Sequence, residues 1–450
     1  MIRKTRKIAL ALGASLALSS IVNAATEIEF WTTQTQSDRI KIIETLALTF
    51  EAMNEDIKIK VVPVDEDQMA TQMAAASAAG TLPNLVEAGS ELLLAFGEEG
   101  VVDKASNKKM LESIGESRFF DGALNMLQGP NGKDYYGVPF HGWVQGIWYR
   151  KDWFEAAGLD APNTWENIEK AARVLTNKSE NQYGILIGTN AESYTEQVFT
   201  QFALSNGARE FNSDGKLTFN SPEMLETLEY YQNLAEYNPP GPQTWRARDY
   251  YLQGKMAMFF YSTYIMDDLA LAEVAKGSLS SENFEGLGGA AFDENLVKNT
   301  GFSPIITNTT DASYGVLVGL SAMKSKANEK KAVQKFVQYL YDPYAYITYL
   351  HMAPGGMNPM LSDIPNHPYY LKDPQGVFEV YGSDAIKDII KGFESIQTFT
   401  VVDGKSYPQS GQIFAKKIIP KMVYSVIFEG VAPADALADA EAEMKDLISQ

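Results

Sequence analysis

The hydrophobic positions of the chain follow two alternating periods, one typical of strands and the other of helices. The segment TEIEFWTT alternates apolar and polar residues, DRIKIIETLALTFEAMN repeats its apolar residues at helical spacing, and IKIKVVPV alternates again. This order predicts a βαβ unit. A further helix that ends at Gly80 and a short buried strand between Pro83 and Gly89 extend the pattern. We therefore expect an α/β fold with a mainly parallel sheet.

The same alternation continues through the second half of the chain. The run GIWYRKDWFEAAGLDAPNTWENIEKAARVLT predicts a strand, a helix closed at Gly158, and a second helix capped by Asn163 or Thr164. Ser221 and Pro222 open another helix. The strand ASYGVLVGLSA and a helix from about 327 to 341 precede HMAPGGMNPM, a connector rich in proline and glycine.

The N-terminus has the pattern of a secretory signal peptide. Four basic residues precede the apolar run IALALGASLALSSIV, which ends at the small residues around Ala24. The run is shorter than the roughly 20 residues that a membrane span needs. We expect residues 1–24 to be cleaved. Since the chain has no cysteine, disulfides and a lipid-modified cysteine are excluded, and a soluble periplasmic protein without a lipid anchor is expected.

Charge limits the partners that the chain can have. The 450 residues carry 38 basic and 57 acidic side chains, a formal net charge of −19. Loss of the basic signal peptide makes the mature chain more acidic still. Such a charge is unfavourable for binding nucleic acid or an anionic membrane surface, so neither is an expected partner.

Residues for catalysis or metal binding are sparse in the sequence. The three histidines are far apart, Asp65-Glu66-Asp67 lacks the spacing of a calcium loop and is interpreted as a solvated turn, and no G-x-S-x-G or P-loop motif occurs. We expect no metal, no cofactor and no catalytic residue. A glycosidase with two carboxylates stays open as an alternative. Receptors for a polyamine or, given the tyrosine pairs such as 135–136, a ferric ion also stay open.

Aromatic residues cluster where strands are predicted to end. Trp31, Trp143, Tyr261 and Tyr264 follow or end strands, and Trp245 lies in a polar loop. Ligand crevices of α/β domains form at strand ends. Sugar rings present apolar C–H faces and hydroxyls, so their sites combine flat aromatic rings with carboxylates and amides. Packing in a core is the competing interpretation of each ring.

Several stretches together resemble the extracellular solute-binding proteins of ABC importers, in particular the sugar-binding group that includes maltose-binding protein. The stretches are NGKDYYGVPF, IWYRKDWFEAAGLDAPNTWENIEKAARVLT, LQGKMAMFFYSTYIMDDL, YGVLVGLSAMKSKANEKKAVQKFVQYLYDP and EGVAPADALADAEAEM. They occur in the order and spacing of that family and span nearly all of the mature chain.

The resemblance implies a two-lobed periplasmic binding protein-like fold of type II, with a mainly parallel sheet in each lobe and the ligand cleft between the lobes. The N-terminal lobe is expected to comprise residues 25–138 plus 314–352, and the C-terminal lobe residues 139–313 plus 353–450. Hinge crossings are expected at 138–140, at 353–359 and just before Tyr314.

The resemblance also implies a set of ligand-binding candidates, taken from the matching motifs and from neighbouring polar loops. They are Trp31, Gln34, Gln36, Glu87, Ser90, Glu91, His141, Trp143, Tyr194, Trp245, Arg248, Tyr261, Tyr264, Gly356 and Met357. Three further tryptophans, Trp148, Trp153 and Trp165, fall in structural segments of the family and are expected to pack in a core.

The function that the resemblance implies is capture without catalysis. A monomeric binding protein would close its lobes around a carbohydrate, either a monosaccharide or an oligosaccharide, and deliver it to the permease subunits of an ABC transporter in the inner membrane.

Overall fold

The computed structural model describes residues 25–271, 295–394, 396–402 and 405–449. The predicted signal peptide, residues 1–24, lies outside the described residues. Within these ranges, no helix is long and apolar enough to cross a membrane.

Strands and helices alternate along most of the chain. The strands are β1 (Thr26–Thr32), β2 (Ile57–Pro63), β3 (Leu85–Gly89), β4 (Val138–Arg150), β5 (Tyr183–Leu186), β6 (Met256–Ser262), β7 (Thr300–Ser303), β8 (Ile305–Thr307), β9 (Asp311–Ala322), β10 (Asn358–Pro359), β11 (Val401–Val402) and β12 (Lys405–Ser406).

The helices of the first half are α1 (Ser37–Met53), α2 (Glu66–Ala79), α3 (Ser90–Glu98), α4 (Lys104–Ile114), α5 (Asp121–Asn125), α6 (Lys151–Ala157), α7 (Trp165–Val174), α8 (Ser193–Ser205), α9 (Pro222–Ala235), α10 (Asp249–Leu252) and α11 (Ile265–Ala270). Those of the second half are α12 (Leu296–Asn299), α13 (Ala327–Leu340), α14 (Pro343–Leu350), α15 (Val377–Tyr381), α16 (Ser383–Lys391), α17 (Pro408–Ala415), α18 (Ile418–Phe428) and α19 (Pro433–Ile448).

The local signals in the sequence set the ends of several helices. Gly80 and Gly158 end α2 and α6 in the left-handed conformation, which costs glycine little. The Thr164 side chain accepts a hydrogen bond from the backbone of Asn167 and caps α7. Ser221 caps α9 in the same way, so these predictions are confirmed.

One large sheet runs through the molecule in the order β2-β1-β3-β9-β4-β6-β5. Its parallel pairs, β1 with β2 and β3, and β5 with β6, lie towards the two ends. The central neighbours β3-β9, β9-β4 and β4-β6 are antiparallel. The α/β class is confirmed, and the predicted βαβ unit is β1-α1-β2. The sheet is mixed and not mainly parallel as expected, because β4 and β9 run antiparallel to their neighbours.

The long strand β4 joins the two ends of the sheet. Its first half pairs with β9, from Val138 opposite Leu320 to Gln145 opposite Tyr314, and its second half pairs with β6 and β7. The register shifts between Pro139 and His141. β10 also pairs with β4 at this point, so the predicted crossings at 138–140 and 353–359 lie side by side. The division into lobes stays a prediction.

A helix from the C-terminal part packs closely on a helix of the N-terminal part. A Cβ atom on Gly411 of α17 would lie only 2.3 Å from the backbone oxygen of Glu91 in α3. Glycine at position 411 therefore permits this close approach. The contact links two segments that the sequence analysis assigns to different lobes.

Two of the three tryptophans expected in a core are buried. Trp148 stacks on Phe302 with ring centres 4.2 Å apart, and Trp165 stacks on Tyr230 at 4.0 Å. Trp153 is half-buried, with the guanidinium of Arg150 over its ring.

Candidate functional site

A cavity of about 490 Å³ opens between the two ends of the sheet. Its walls come from the β1-α1 loop, the start of α2, the middle of β4, the start of α8, the β6-α11 junction, and the side chains of Trp245 and Arg248. These are strand ends and helix starts, where side chains and backbone groups are free to face a ligand. The volume lies within the range of small-molecule sites in proteins.

Eight of the fifteen predicted residues line this cavity. They are Gln34, Gln36, Trp143, Tyr194, Trp245, Arg248, Tyr261 and Tyr264. They come from distant parts of the chain, and the fold brings them together. Their role in ligand binding stays a prediction.

Arg39 holds the two glutamine side chains at the wall formed by the β1-α1 loop. Its Nη1 atom donates to Gln34 Oε1 at 3.0 Å and to Gln36 Oε1 at 3.4 Å. Its guanidinium also lies over the ring of Tyr264, 5.4 Å from the ring centre. Arg39 therefore holds the amides of Gln34 and Gln36 beside the ring of Tyr264, which comes from a distant part of the chain.

Three acidic residues at the start of α2 face the cavity. Asp65 caps the helix by accepting a hydrogen bond from the backbone of Asp67 at 3.0 Å. Asp67 forms an ion pair with Lys417 at 2.8 Å and accepts a hydrogen bond from Ser193 at 3.4 Å. The three acids are exposed, as the interpretation as a solvated turn implies, but Asp65 is the N-cap of α2 and Glu66 and Asp67 belong to its first helical turn.

Glu66 differs from its two neighbours. Its side chain is exposed to the cleft but surrounded by protein, and this desolvation, together with the charges of Asp67, Glu91 and Asp65, raises its pKa to about 7. In the described part of the chain, its carboxyl oxygens make no hydrogen bond or ion pair. They are therefore available to donors of a ligand.

Aromatic rings form the opposite wall. Tyr194 donates its hydroxyl to the carbonyl of Phe260 at 2.6 Å, and its ring centre lies 6.3 Å from that of Tyr261. Trp143 is half-buried beside Tyr314, with 6.2 Å between ring centres, and Trp245 is 38% exposed. The partial exposure of Trp143 and Trp245 leaves ring surface for a ligand to contact.

Arg248 is tied into this aromatic wall. Its Nη1 atom forms an ion pair with Asp268 at 2.8 Å and donates to the Tyr261 hydroxyl at 3.2 Å. Its guanidinium lies 5.2 Å from the ring centre of Trp245 and 5.4 Å from that of Tyr261. Burial and the charge of Asp268 raise the pKa of the adjacent Asp267 to about 7. Arg248 therefore orders the rings around it.

The other seven predicted residues do not line the cavity. They are Trp31, Glu87, Ser90, Glu91, His141, Gly356 and Met357, all buried in the protein. The indole of Trp31 donates to Glu29 Oε1 at 2.6 Å. These residues lie behind the cavity wall, where they pack against other protein groups. Their direct contact with a ligand stays a prediction.

Glu87 and His141 form a buried pair, with 2.8 Å between Oε1 and Nε2. Tyr349 donates to the other oxygen of Glu87 at 2.6 Å, and Thr32 also donates to it. Burial raises the pKa of Glu87, but these hydrogen bonds and the His141 charge outweigh burial and hold it below its usual value.

The remaining buried candidates support residues of the wall. Ser90 donates to Glu91 Oε2 at 3.1 Å, and burial raises the pKa of Glu91 to about 7. Gly356 lies directly beneath Tyr264, because a Cβ atom there would be 2.3 Å from the ring. Met357 is completely buried in the adjacent core.

Sequence reasoning missed part of the cavity lining. The residues not predicted include Arg39, Asp65, Glu66, Asp67, Gln145, Glu192, Gln197, Asp267 and Asp268. Gln145 follows Trp143 by two positions on β4, and strand alternation places both on one face. The helix starts at 66 and 193 were a second available signal, since the first turn of a helix points out from the end of the sheet.

Within the described ranges, no three histidine, aspartate or glutamate side chains come together in a way that could hold a metal ion. The groups that the cavity offers are therefore aromatic faces, amides, carboxylates and two guanidinium groups that already have protein partners.

Comparisons with known proteins agree with this architecture. The family model for bacterial extracellular solute-binding proteins matches residues 32–346. The chain is 30% identical over 425 residues, 94% of its own length and 93% of its relative's, to YcjN of Escherichia coli strain K12, which is named as an ABC transporter periplasmic-binding protein.

Solved structures show the same fold at lower identity. The chain is similar to an ABC transporter solute-binding protein of Agrobacterium radiobacter K84 in complex with ribitol, with a TM-score of 0.73, 21% identity and coverage of 94% of this chain and 99% of that one. It is also similar to maltose-bound MalE3 of T. maritima, with a TM-score of 0.71, 17% identity and coverage of 94% and 100%.

Proposed function

Since the chain belongs to the bacterial extracellular solute-binding proteins, we propose that its cavity captures a carbohydrate or a sugar alcohol for an ABC transporter. The observation that carries the proposal is the composition of the cavity wall. Rings of Trp143 and Trp245 face the same space as the amides of Gln34 and Gln36 and the carboxyl of Glu66. This combination matches a ligand with C–H faces and several hydroxyls.

Capture would proceed by closure of the two parts of the molecule around the ligand. The contacts of Asp67 with Ser193 and Lys417, and of Arg39 with Tyr264, bridge the cleft. They would stabilise the closed form and remove the ligand from water, which strengthens its hydrogen bonds. The closed form would then dock on the permease subunits in the inner membrane.

The remaining parts of the proposal follow from the sequence. Residues 1–24 would direct export and be removed, and the protein would act as a monomer in the periplasm. The protein would release its ligand chemically unchanged, as a binding protein and not an enzyme. The ligand complexes with ribitol and maltose of two proteins with the same fold support the ligand class.

The tyrosine contacts give no support to a ferric-ion receptor. Tyr135 donates to Glu116 at 2.8 Å, Tyr231 donates to the carbonyl of Gly188 at 2.7 Å, and Tyr251 pairs with Thr300 at 2.7 Å. These hydroxyls have separate partners and do not converge on one point.

Calorimetric titration of the exported protein is the direct test. The panel should contain glucose, maltose, mannitol and ribitol, with spermidine and ferric citrate as representatives of the other ligand classes. We expect saturable binding of a sugar or sugar alcohol, weakened in Trp143→Ala and unchanged in the control Trp153→Ala, whose side chain lies outside the cavity. Binding of spermidine or iron alone would refute the proposal, and chromatographic detection of cleaved maltose would favour a glycosidase.

A further inference from the structure

We propose that the cavity selects ligands that carry no anionic group, and that Glu66 is the residue that excludes phosphorylated and carboxylated sugars. The inference rests on the proposed function and narrows its ligand class. It follows from the distribution of charge around the cavity and from the partners that each charged group already has.

Carboxyl groups outnumber guanidinium groups in the cavity wall. Six acids line it, namely Asp65, Glu66, Asp67, Glu192, Asp267 and Asp268, against the two arginines Arg39 and Arg248. A cleft lined mainly by one sign of charge concentrates ligands of the opposite sign and repels those of the same sign.

Both arginines are engaged by the protein. Arg248 forms its ion pair with Asp268 and a hydrogen bond with Tyr261, and it is packed against Trp245. Arg39 donates from Nη1 to two amide oxygens and lies near enough to Asp267 to lower the pKa of that carboxyl. A phosphate binds best to a guanidinium that offers two parallel N–H donors. Binding of a phosphate to Nη1 of either arginine would here require that its existing contacts break.

The positive end of α2 is also occupied. A helix N-terminus binds anions through free backbone N–H groups. In α2, Asp65 already accepts the N–H of Asp67, and the carboxyl of Glu66 stands at the first helical position. The helix therefore presents negative charge to the cavity at the place where an anion would otherwise bind.

Glu66 is the acid with the most freedom to act on a ligand. Asp67 is paired with Lys417, Asp268 with Arg248, and Glu192 accepts the backbone N–H of Trp245 at 3.3 Å. In the described structure, Glu66 has no such partner and is exposed to the cleft. It can accept hydrogen bonds from sugar hydroxyls, whereas a phosphate or carboxylate group offers it only like charge.

Matched pairs of ligands test this inference. Affinities are measured by calorimetry at pH 8 for mannitol and mannitol 1-phosphate, for ribitol and ribitol 5-phosphate, and for glucose, glucose 6-phosphate and glucuronate. For every neutral compound that binds, we expect its anionic partner to bind at least about tenfold more weakly. In Glu66→Gln the ratio of the neutral to the anionic affinity should fall several-fold, because the amide keeps the size of the side chain and removes its charge.

Glu44→Gln is the matched control, since Glu44 is an exposed acid on α1 outside the cavity. It should leave both affinities unchanged. An anionic compound that binds as tightly as its neutral partner would overturn the inference while the proposed function stands. If Glu66→Gln leaves the ratio of the neutral to the anionic affinity unchanged, Glu66 is not the residue that excludes anionic ligands. Binding of no compound of either type would overturn both proposals.

Discussion

Glu87 and His141 contact each other in the centre of the molecule, 2.8 Å apart, with neither side chain exposed to solvent. Glu87 lies in the middle of β3 and His141 near the start of β4, two strands separated in the sheet by β9. Tyr349 from α14 completes the group by donating to the same carboxylate. The pair therefore ties three segments of the chain together behind the cavity.

Replacement of His141 by alanine should destabilise the protein more than it changes ligand affinity. It would leave the buried Glu87 carboxylate without its main partner, which typically costs about 3–5 kcal/mol. Tyr349→Phe, which removes one hydrogen bond to the buried carboxylate, should cost about 1.5–3 kcal/mol. Thermal denaturation and calorimetry of the folded fraction measure the two effects. A variant His141→Ala of normal stability that no longer binds ligand would show direct ligand contact.

Replacement of Trp143 should mainly affect ligand binding and replacement of Trp148 mainly stability, although both residues lie on β4. Trp148 is 2% exposed, stacks on Phe302 and donates to the carbonyl of Tyr261 at 3.1 Å. Trp148→Ala should therefore cost about 3–5 kcal/mol of stability. Trp143→Ala should weaken sugar binding at a much smaller cost in stability. Equal losses of melting temperature in the two variants would contradict this division.

Gly356→Ala should weaken ligand binding without any direct contact with the ligand. The added methyl group would lie 2.3 Å from the Tyr264 ring, which must move within the cavity wall. We expect a lower affinity in calorimetric titration. Gly392→Ala serves as control, because its nearest neighbour there would be a Val144 methyl at an ordinary 3.5 Å. Equal affinities for both variants would show that Tyr264 does not take part in binding.

The free energy of unfolding should fall as the pH rises from 4.5 to about 8, and ionisation of Glu210 should contribute to this fall. Burial raises the pKa of Glu210 from 4.5 to about 8, and the Ser410 hydroxyl offsets only part of this effect. Between these two values the unfolded chain has lost a proton that the folded chain retains. The contribution of Glu210 to the free energy of unfolding is therefore complete below pH 4.5. It is lost progressively as the pH rises from 4.5 to about 8.

Glu210→Gln should flatten this pH profile, because the amide does not ionise. Melting temperatures at intervals from pH 4.5 to 8 would measure the effect, and the variant should gain most at the alkaline end. Asp214→Asn, on an exposed turn nearby, is the control and should reproduce the parent profile. A gain at pH 4.5 equal to that at pH 8 would exclude ionisation as the cause.

The elements and the general place of the cavity could be predicted from the sequence, because both depend on local patterns. Helix caps such as Thr164 and Ser221 act over three residues, and aromatic residues at strand ends marked the wall. Local patterns cannot show which strand-end residues are covered by distant segments. Glu87 is buried by Tyr349, 262 positions away, and nothing near Glu87 in the sequence indicates this.

All charged residues of the wall except Arg248 were missed for a related reason. Arg39 looks like an ordinary surface residue of an amphipathic helix, and its role depends on the amides of Gln34 and Gln36 folding back over it. Arg248 was predicted near the ligand and lies at the cavity, but its ion pair with Asp268 becomes visible only in three dimensions. Side-chain partners across a cleft have no fixed sequence spacing.

The central position of β9 has a consequence for the order of events during biosynthesis. β9 separates β3 from β4, yet it is made only after both of them and after β5 and β6. Until residue 322 has left the ribosome, β3 and the first half of β4 have an unpaired edge, and the sheet cannot close. The sheet is therefore completed late in synthesis, and a chain that ends before β9 lacks the strand that joins β3 to β4. Fragments that end before Asp311 should accordingly aggregate or be degraded instead of folding.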